Sequence, residues 1–137
     1  GAFVEWADVH GERYGTSWFE LKEPERNDRT MILDVDVQGA ESVRKQMPAS
    51  ISVFIMPPSL HELRRRLMDR ESQWTPTLEA RLQTARHEMS LHYSFDFIVI
   101  NDVLDNALDA LVHIVCAMEL RTRRQLQRVR HILGGQE

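Results

Sequence analysis

Met31-Ile32-Leu33-Asp34-Val35-Asp36-Val37, closed by Gln38-Gly39, sets two carboxylates at alternate positions in an otherwise apolar run. A period of two puts Asp34 and Asp36 on one side of an extended chain. Apolar residues at its start and on its other side predict a central strand of a parallel sheet, whose carboxyl end brings charge to a site. Buried carboxylates need partners, because an unpaired buried ion costs on the order of several kcal/mol. A metal ion, ordered water or the N–H groups of a ligand would serve.

Upstream of this run, Ala2 to Val9 reads as a short strand closed by His10-Gly11. Ser17 to Glu23 reads as a short helix stopped by Pro24 and the polar stretch Glu25 to Arg29. Downstream, Gln38-Gly39 opens a helix that runs to Gln46 and ends before Pro48, and Ile51 to Met56 is the next strand. Pro57-Pro58 breaks it. Ser59-Leu60-His61-Glu62 has the pattern of a capping box, which starts a helix with apolar residues at Leu60, Leu63 and Leu67. Thr75-Pro76 is a second helix start, an N-cap followed by proline at the first helical position, with Leu78, Leu82, Ala85 and Met89 as the inward stripe. Phe95 to Ile100 is a third β-rich run, ending in Asn101-Asp102. Leu104, Leu108, Leu111, Val115 and Met118 then recur at helical spacing, predicting a last helix packed on the sheet. Strands alternating with helices give a parallel α/β sheet.

The 137 residues suffice for one domain or part of one. A net charge of −4 argues against a dedicated nucleic-acid binder, which carries a net basic field. No apolar run is long enough to span a membrane and no signal segment opens the chain, so a soluble protein is expected. The single cysteine, Cys116, lies in a helical stretch and reads as a small buried hydrophobe. It permits no disulfide framework, which points to a reducing, cytoplasmic setting. His87 and His92 lie off a shared helical face and are not expected to bind metal. Trp18 and Trp74 are expected to pack at the surface. Arg121, Arg123, Arg124, Arg128 and Arg130 fall at a helix end, where cations complement the macrodipole.

Three features converge where ligands bind in such a sheet, at the carboxyl ends of its strands: Asp34 with Asp36, Pro57-Pro58-Ser59, and Asn101-Asp102. Each alone is also what an ordinary strand-to-helix turn looks like. Arg66 and Arg70, four apart on one helix, and Arg81 on the next present planar forks suited to phosphate oxygens, and could form a lid. The plainer alternative is a solvated cationic face paired with Glu62, Asp69, Glu71 and Glu79. Glu5-Trp6-Ala7 followed by Tyr14-Gly15-Thr16 offers a carboxylate able to accept from the N1–H and N2–H₂ edge of guanine, an edge adenine lacks. The alternative there is a hairpin with an exposed Glu and a packed Tyr.

Taken in order and spacing, Phe3-Val4-Glu5-Trp6-Ala7, Tyr14-Gly15-Thr16-Ser17, Ile32 to Gly39, Pro57-Pro58-Ser59, Arg66, Arg70, Arg81 and Ile98-Val99-Ile100-Asn101-Asp102 resemble guanylate kinase over nearly the whole chain. The resemblance implies transfer of the ATP γ-phosphoryl to GMP or dGMP with Mg²⁺, on the P-loop nucleoside monophosphate kinase fold. It implies that Glu5 and Thr16 read guanine, with Tyr14 and Gly15 at the GMP, and that Asp34 borders the GMP and metal region. Asp34 and Asp36 would hold the metal through water. Arg66, Arg70 and Arg81 would neutralise the transferring phosphoryl, with Arg66, Arg81, Asn101 and Asp102 at the ATP. Residues 1–30 would belong to the GMP-binding part, 31–62 and 90–137 to the core, and 63–89 to the lid.

The departures are equally specific. No G-x-x-x-x-G-K-[ST] occurs, and the only lysines, Lys22 and Lys45, follow no glycine. The chain thus resembles the C-terminal two-thirds of a guanylate kinase, without the first strand and phosphate loop, and by itself is expected to be inactive. Residues 24–29 and the lid loop 69–74 lack glycines usual in the family. Expected partners are GMP or dGMP and ATP, with no nucleic acid and no membrane; the oligomeric state is left open. The alternative, from another class, is a non-catalytic guanylate-kinase-like domain that binds phosphopeptides.

Overall fold

The computed structural model describes residues 3–9, 12–17, 30–71 and 75–135. The described residues form two compact units, one of Gly1–Phe54 and Gln83–Phe97 and the other of Ile55–Leu82 and Ile98–Glu137. Strands β1 (Phe3–Val9) and β2 (Glu12–Ser17) open the first unit as an antiparallel pair. The expected helix from Ser17 begins with a residue that instead ends β2, and its remainder lies outside the described residues, as do Trp18 and Trp74.

Pairing runs from Glu5 opposite Thr16 to Val9 opposite Glu12, while Phe3 stands opposite Ser17. One extra residue, Val4, is therefore accommodated in β1 as a bulge. Val4 is buried against Val43 of helix α1 (Val37–Gln46), with Met31, Leu33 and Met47 around them. The Gln46 side-chain amide donates to the Val4 carbonyl, so a backbone acceptor at the bulge finds a partner from the helix.

The segment 30–36 departs from its reading as a central strand. It is extended, and exposure alternates along it with period two, Met31, Leu33 and Val35 being half-buried and Asp34 and Asp36 exposed. Neither two-stranded sheet of the structure includes it. Among the described residues the alternation persists outside any strand ladder. Both carboxylates consequently meet solvent, and Ile32, on their side, is 77% exposed. Asp36 ends the segment as the N-cap of α1, its Oδ1 accepting from the Gly39 amide at 2.7 Å.

Strands β3 (Val53–Met56) and β4 (Phe97–Ile100) are hydrogen-bonded neighbours running in parallel. The Ser52 carbonyl accepts from Asp96 and Phe97 at their start, and the Met56 carbonyl accepts from Asn101 at their end. In the first unit, Asp96 also accepts from the Ser52 amide and hydroxyl, both at 2.8 Å. Phe54 meets Phe95 edge to face, and Arg44 lies over the Phe95 ring. The sheet with flanking helices expected from the sequence is thus present, beside an antiparallel pair.

Helix α2 (Leu60–Glu71) starts where Ser59 caps it, its hydroxyl accepting from Glu62 N–H at 3.0 Å. Helix α3 (Pro76–Ser90) starts on Thr75, whose hydroxyl accepts from Leu78 N–H at 3.1 Å, as the Thr-Pro pair predicts. Helices α4 (Leu104–Glu119) and α5 (Thr122–Ile132) follow β4. In the second unit the buried apolar residues are Leu78, Leu82, Val99 and Ala107. The α4 stripe is only partly inward: Leu111, Val115 and Met118 are half-buried, but Leu104 and Leu108 are 72% and 55% exposed. Cys116 is also exposed, against its reading as a buried hydrophobe. It continues the row Leu104, Leu108 and Val112 at four-residue spacing, the line of α4 that faces out. The basic run expected at the end of α4 instead forms α5, after a break at Leu120 and Arg121.

Candidate functional site

The first unit holds the residues read as the acceptor side. Across the β1–β2 ladder Glu5 is directly opposite Thr16, Trp6 opposite Gly15 and Ala7 opposite Tyr14. The two residues expected to read guanine are therefore cross-strand partners, although ten residues of sequence separate them. Asp34 and Asp36 share the exposed side of their segment. Among the described residues no group of three or more His, Cys, Asp or Glu side chains is placed to hold a metal ion.

A carboxylate that sequence reading passed over enters here. Glu88 on α3 is half-buried, and burial first, then the negative charge of Asp36, raises its pKa above the ordinary glutamate value. A raised folded-state pKa contributes stability that is present below the unfolded value and lost as pH rises through the folded one. Glu88→Gln removes that loss. Its Tm should match the parent below the ordinary glutamate pKa, exceed it as pH rises through the raised folded-state value and hold a constant lead above that, which thermal melts across the range would read; equal melts throughout would refute it.

The second unit holds the cationic side. Arg66 brings three sequence-predicted positions together: its Nε donates to Glu62 Oε1 at 2.7 Å, its Nη1 to the Asn101 carbonyl at 2.7 Å, and its Nη2 to the Asp102 carbonyl at 3.1 Å. Arg66, Asn101 and Asp102, all read as ATP-binding, are thus one contiguous group beyond the end of β4. Arg70 follows one turn later in α2, with its side chain outside the described set; Arg81 is exposed on α3.

Glu62 does not complete the capping box. Ser59 contributes its half, but the Glu62 carboxylate is taken by guanidinium groups, Arg65 at 2.7 and 2.8 Å and Arg66 at 2.7 Å. Hydrogen bonds from Arg65 and then Arg66 hold its pKa down, to about 2. Two charged donors outcompete one backbone amide for the same oxygens. The signal was present in the sequence as Glu-x-x-x-Arg spacing, the favourable order for a helical ion pair.

The family description "Guanylate kinase" matches residues 1–118. The chain is 44% identical over 128 residues to the guanylate kinase of Aromatoleum aromaticum, covering 93% of this chain and 63% of that protein. It is 39% identical over 134 residues to the guanylate kinase of Thiobacillus denitrificans, covering 98% and 64% respectively. It therefore spans less than two thirds of the length of these relatives. The crystal structure of guanylate kinase from Anaplasma phagocytophilum superposes with a TM-score of 0.78 at 29% identity, over 100% of this chain and 68% of that one. No helix among the described residues is long and apolar enough to cross a membrane.

Proposed function

The chain belongs to the guanylate kinase family, and we propose that the whole protein transfers the γ-phosphoryl of ATP to GMP or dGMP, giving ADP and the nucleoside diphosphate. The observation that carries this reading is the Arg66 group: a guanidinium joined to Asn101 and Asp102 just past the carboxyl end of a parallel strand, where α/β sheets bind ligands. In this reading Arg66, Asn101 and Asp102 hold ATP. Glu5 and Thr16 read guanine, Tyr14 and Gly15 meet the rest of GMP, and Asp34 borders the acceptor. Arg70 and Arg81 meet the phosphates, Arg66 adding charge from its own side. Phosphoryl transfer demands positioning and neutralisation of charge, which these residue types supply.

Magnesium fits the donor set. Asp34 and Asp36 are exposed on one side of an extended segment, and the Asp36 cap uses one carboxylate oxygen. This ion usually takes one or two carboxylates, several waters and substrate phosphates. Bound through water at Asp34 and Asp36, it would neutralise phosphate charge. The setting is the cytoplasm and purine nucleotide metabolism.

The test is base choice in the whole protein. A carboxylate at position 5 accepts from both N1–H and N2–H₂ of guanine, whereas adenine sets a lone pair against it, so the wrong base leaves a polar group unpaired. Glu5→Gln should weaken GMP use at least about tenfold, a bidentate base contact being worth roughly 1 to 3 kcal/mol. ADP formation with GMP and with AMP, in parent and variant, reads it. Unchanged GMP use and unchanged preference over AMP would remove Glu5 from the role, and no GMP-dependent ADP formation by the parent would overturn the reading.

A further inference from the structure

We propose that Glu62 is a positioning residue for the donor nucleotide, acting through Arg66 on the Asn101-Asp102 turn; the inference rests on the reading of that turn as the ATP end of the site. A guanidinium is a rigid plane with five N–H donors. Three of those of Arg66 are engaged, with Glu62, Asn101 and Asp102, so the plane is held at three corners. Two bonds reach neutral carbonyls, and one reaches an ionised carboxylate, the stronger kind. Among the described residues Glu62 is the one carboxylate that Arg66 meets, and both side chains are partly covered, at 21% and 32% exposure. Arg65, by contrast, has Asp69 as a second carboxylate at 2.7 Å and does not touch the turn.

The turn is held from both directions. The Asn101 N–H donates to the Met56 carbonyl at 2.8 Å, while the Asn101 carbonyl accepts from Arg66. With its backbone fixed by the sheet on one side and by the guanidinium on the other, Asn101 keeps its side-chain amide outside these bonds. An amide with one carbonyl acceptor and two N–H donors suits a purine edge. Glu62 fixes the orientation of the arginine plane, the plane fixes the turn, and the turn aims the amide. A residue acting in this way changes how well ATP binds more than it changes the chemical step.

The experiment is steady-state kinetics on the whole protein with a double-mutant cycle over positions 62 and 66. Glu62→Ala should raise the ATP KM about tenfold, the size expected for losing one charge-assisted hydrogen bond, with the GMP KM within about twofold of the parent and kcat falling by less than the ATP KM rises. The same substitution should do nothing further in an Arg66→Ala background, because its effect passes through that arginine. Glu62→Gln, which keeps the shape and one acceptor oxygen, should fall between, and carries the same comparison if the alanine variant fails to fold. Arg65→Ala should leave the ATP KM unchanged. If Arg66→Ala raises the ATP KM and Glu62→Ala does not, or if the two effects add, the role of Glu62 is overturned and the site reading stands. If Arg66→Ala leaves the ATP KM unchanged, the site reading fails and this inference with it.

Discussion

Arg81→Ala in the whole protein is expected to lower kcat by about 10³- to 10⁵-fold, the usual worth of a cation that meets charge developing on a transferring phosphoryl group. The GMP KM should change far less. That split follows from when the partner charge appears: an interaction strengthened only in the transition state lowers kcat and kcat/KM together. The scaffold under Arg81 is well built. Thr75 and Pro76 start α3, and Leu78 and Leu82, three residues before it and one after, anchor the helix in the interior of the second unit. The arginine stands on the exposed face between them. Initial rates at saturating ATP and GMP, with melts to confirm folding, decide the matter. A kcat within a few-fold of the parent would take Arg81 out of the phosphate-binding group.

Leu78→Ala is expected to cost about 2 to 5 kcal/mol of folding stability, the range for emptying a fully enclosed leucine site. Leu78 is 0% exposed, the most enclosed of the described side chains of the second unit. The loss has two parts, the transfer free energy of the deleted methyl-bearing carbons and the cavity that the surrounding helices fail to close. Leu78→Met, which conserves volume, should cost less than about 1.5 kcal/mol. Urea unfolding of the 137-residue chain followed by circular dichroism would compare the three proteins. Equal midpoints for parent and Leu78→Ala would show that Leu78 is not part of a cooperative core.

Much of this protein was legible from its sequence because the relevant signals are local. Thr75-Pro76 announced the start of α3, and the Ser59 hydroxyl capped α2, since a cap needs only residues within one turn of it. Alternation at 31–37 announced the shared side of Asp34 and Asp36, and period two survives even where no ladder forms. The motifs from Glu5 to Asp102, taken in order, pointed to the guanylate kinase family through residue types and spacing.

Tertiary structure decided what those signals were used for. Whether 30–36 pairs as a strand depends on a neighbour distant in sequence, and its own alternation says nothing about that neighbour. The approach of Arg66 to two carbonyls 35 and 36 residues away requires α2 and the end of β4 to be packed together in one unit. The raised pKa of Glu88 likewise comes from burial and from Asp36, fifty-two residues earlier in the chain. Caps, periodicity and helical ion pairs are properties of a few neighbouring residues and can be read in order; strand ladders, the reach of Arg66 to the turn after β4 and the raised pKa of Glu88 are set by groups that only folding brings within reach.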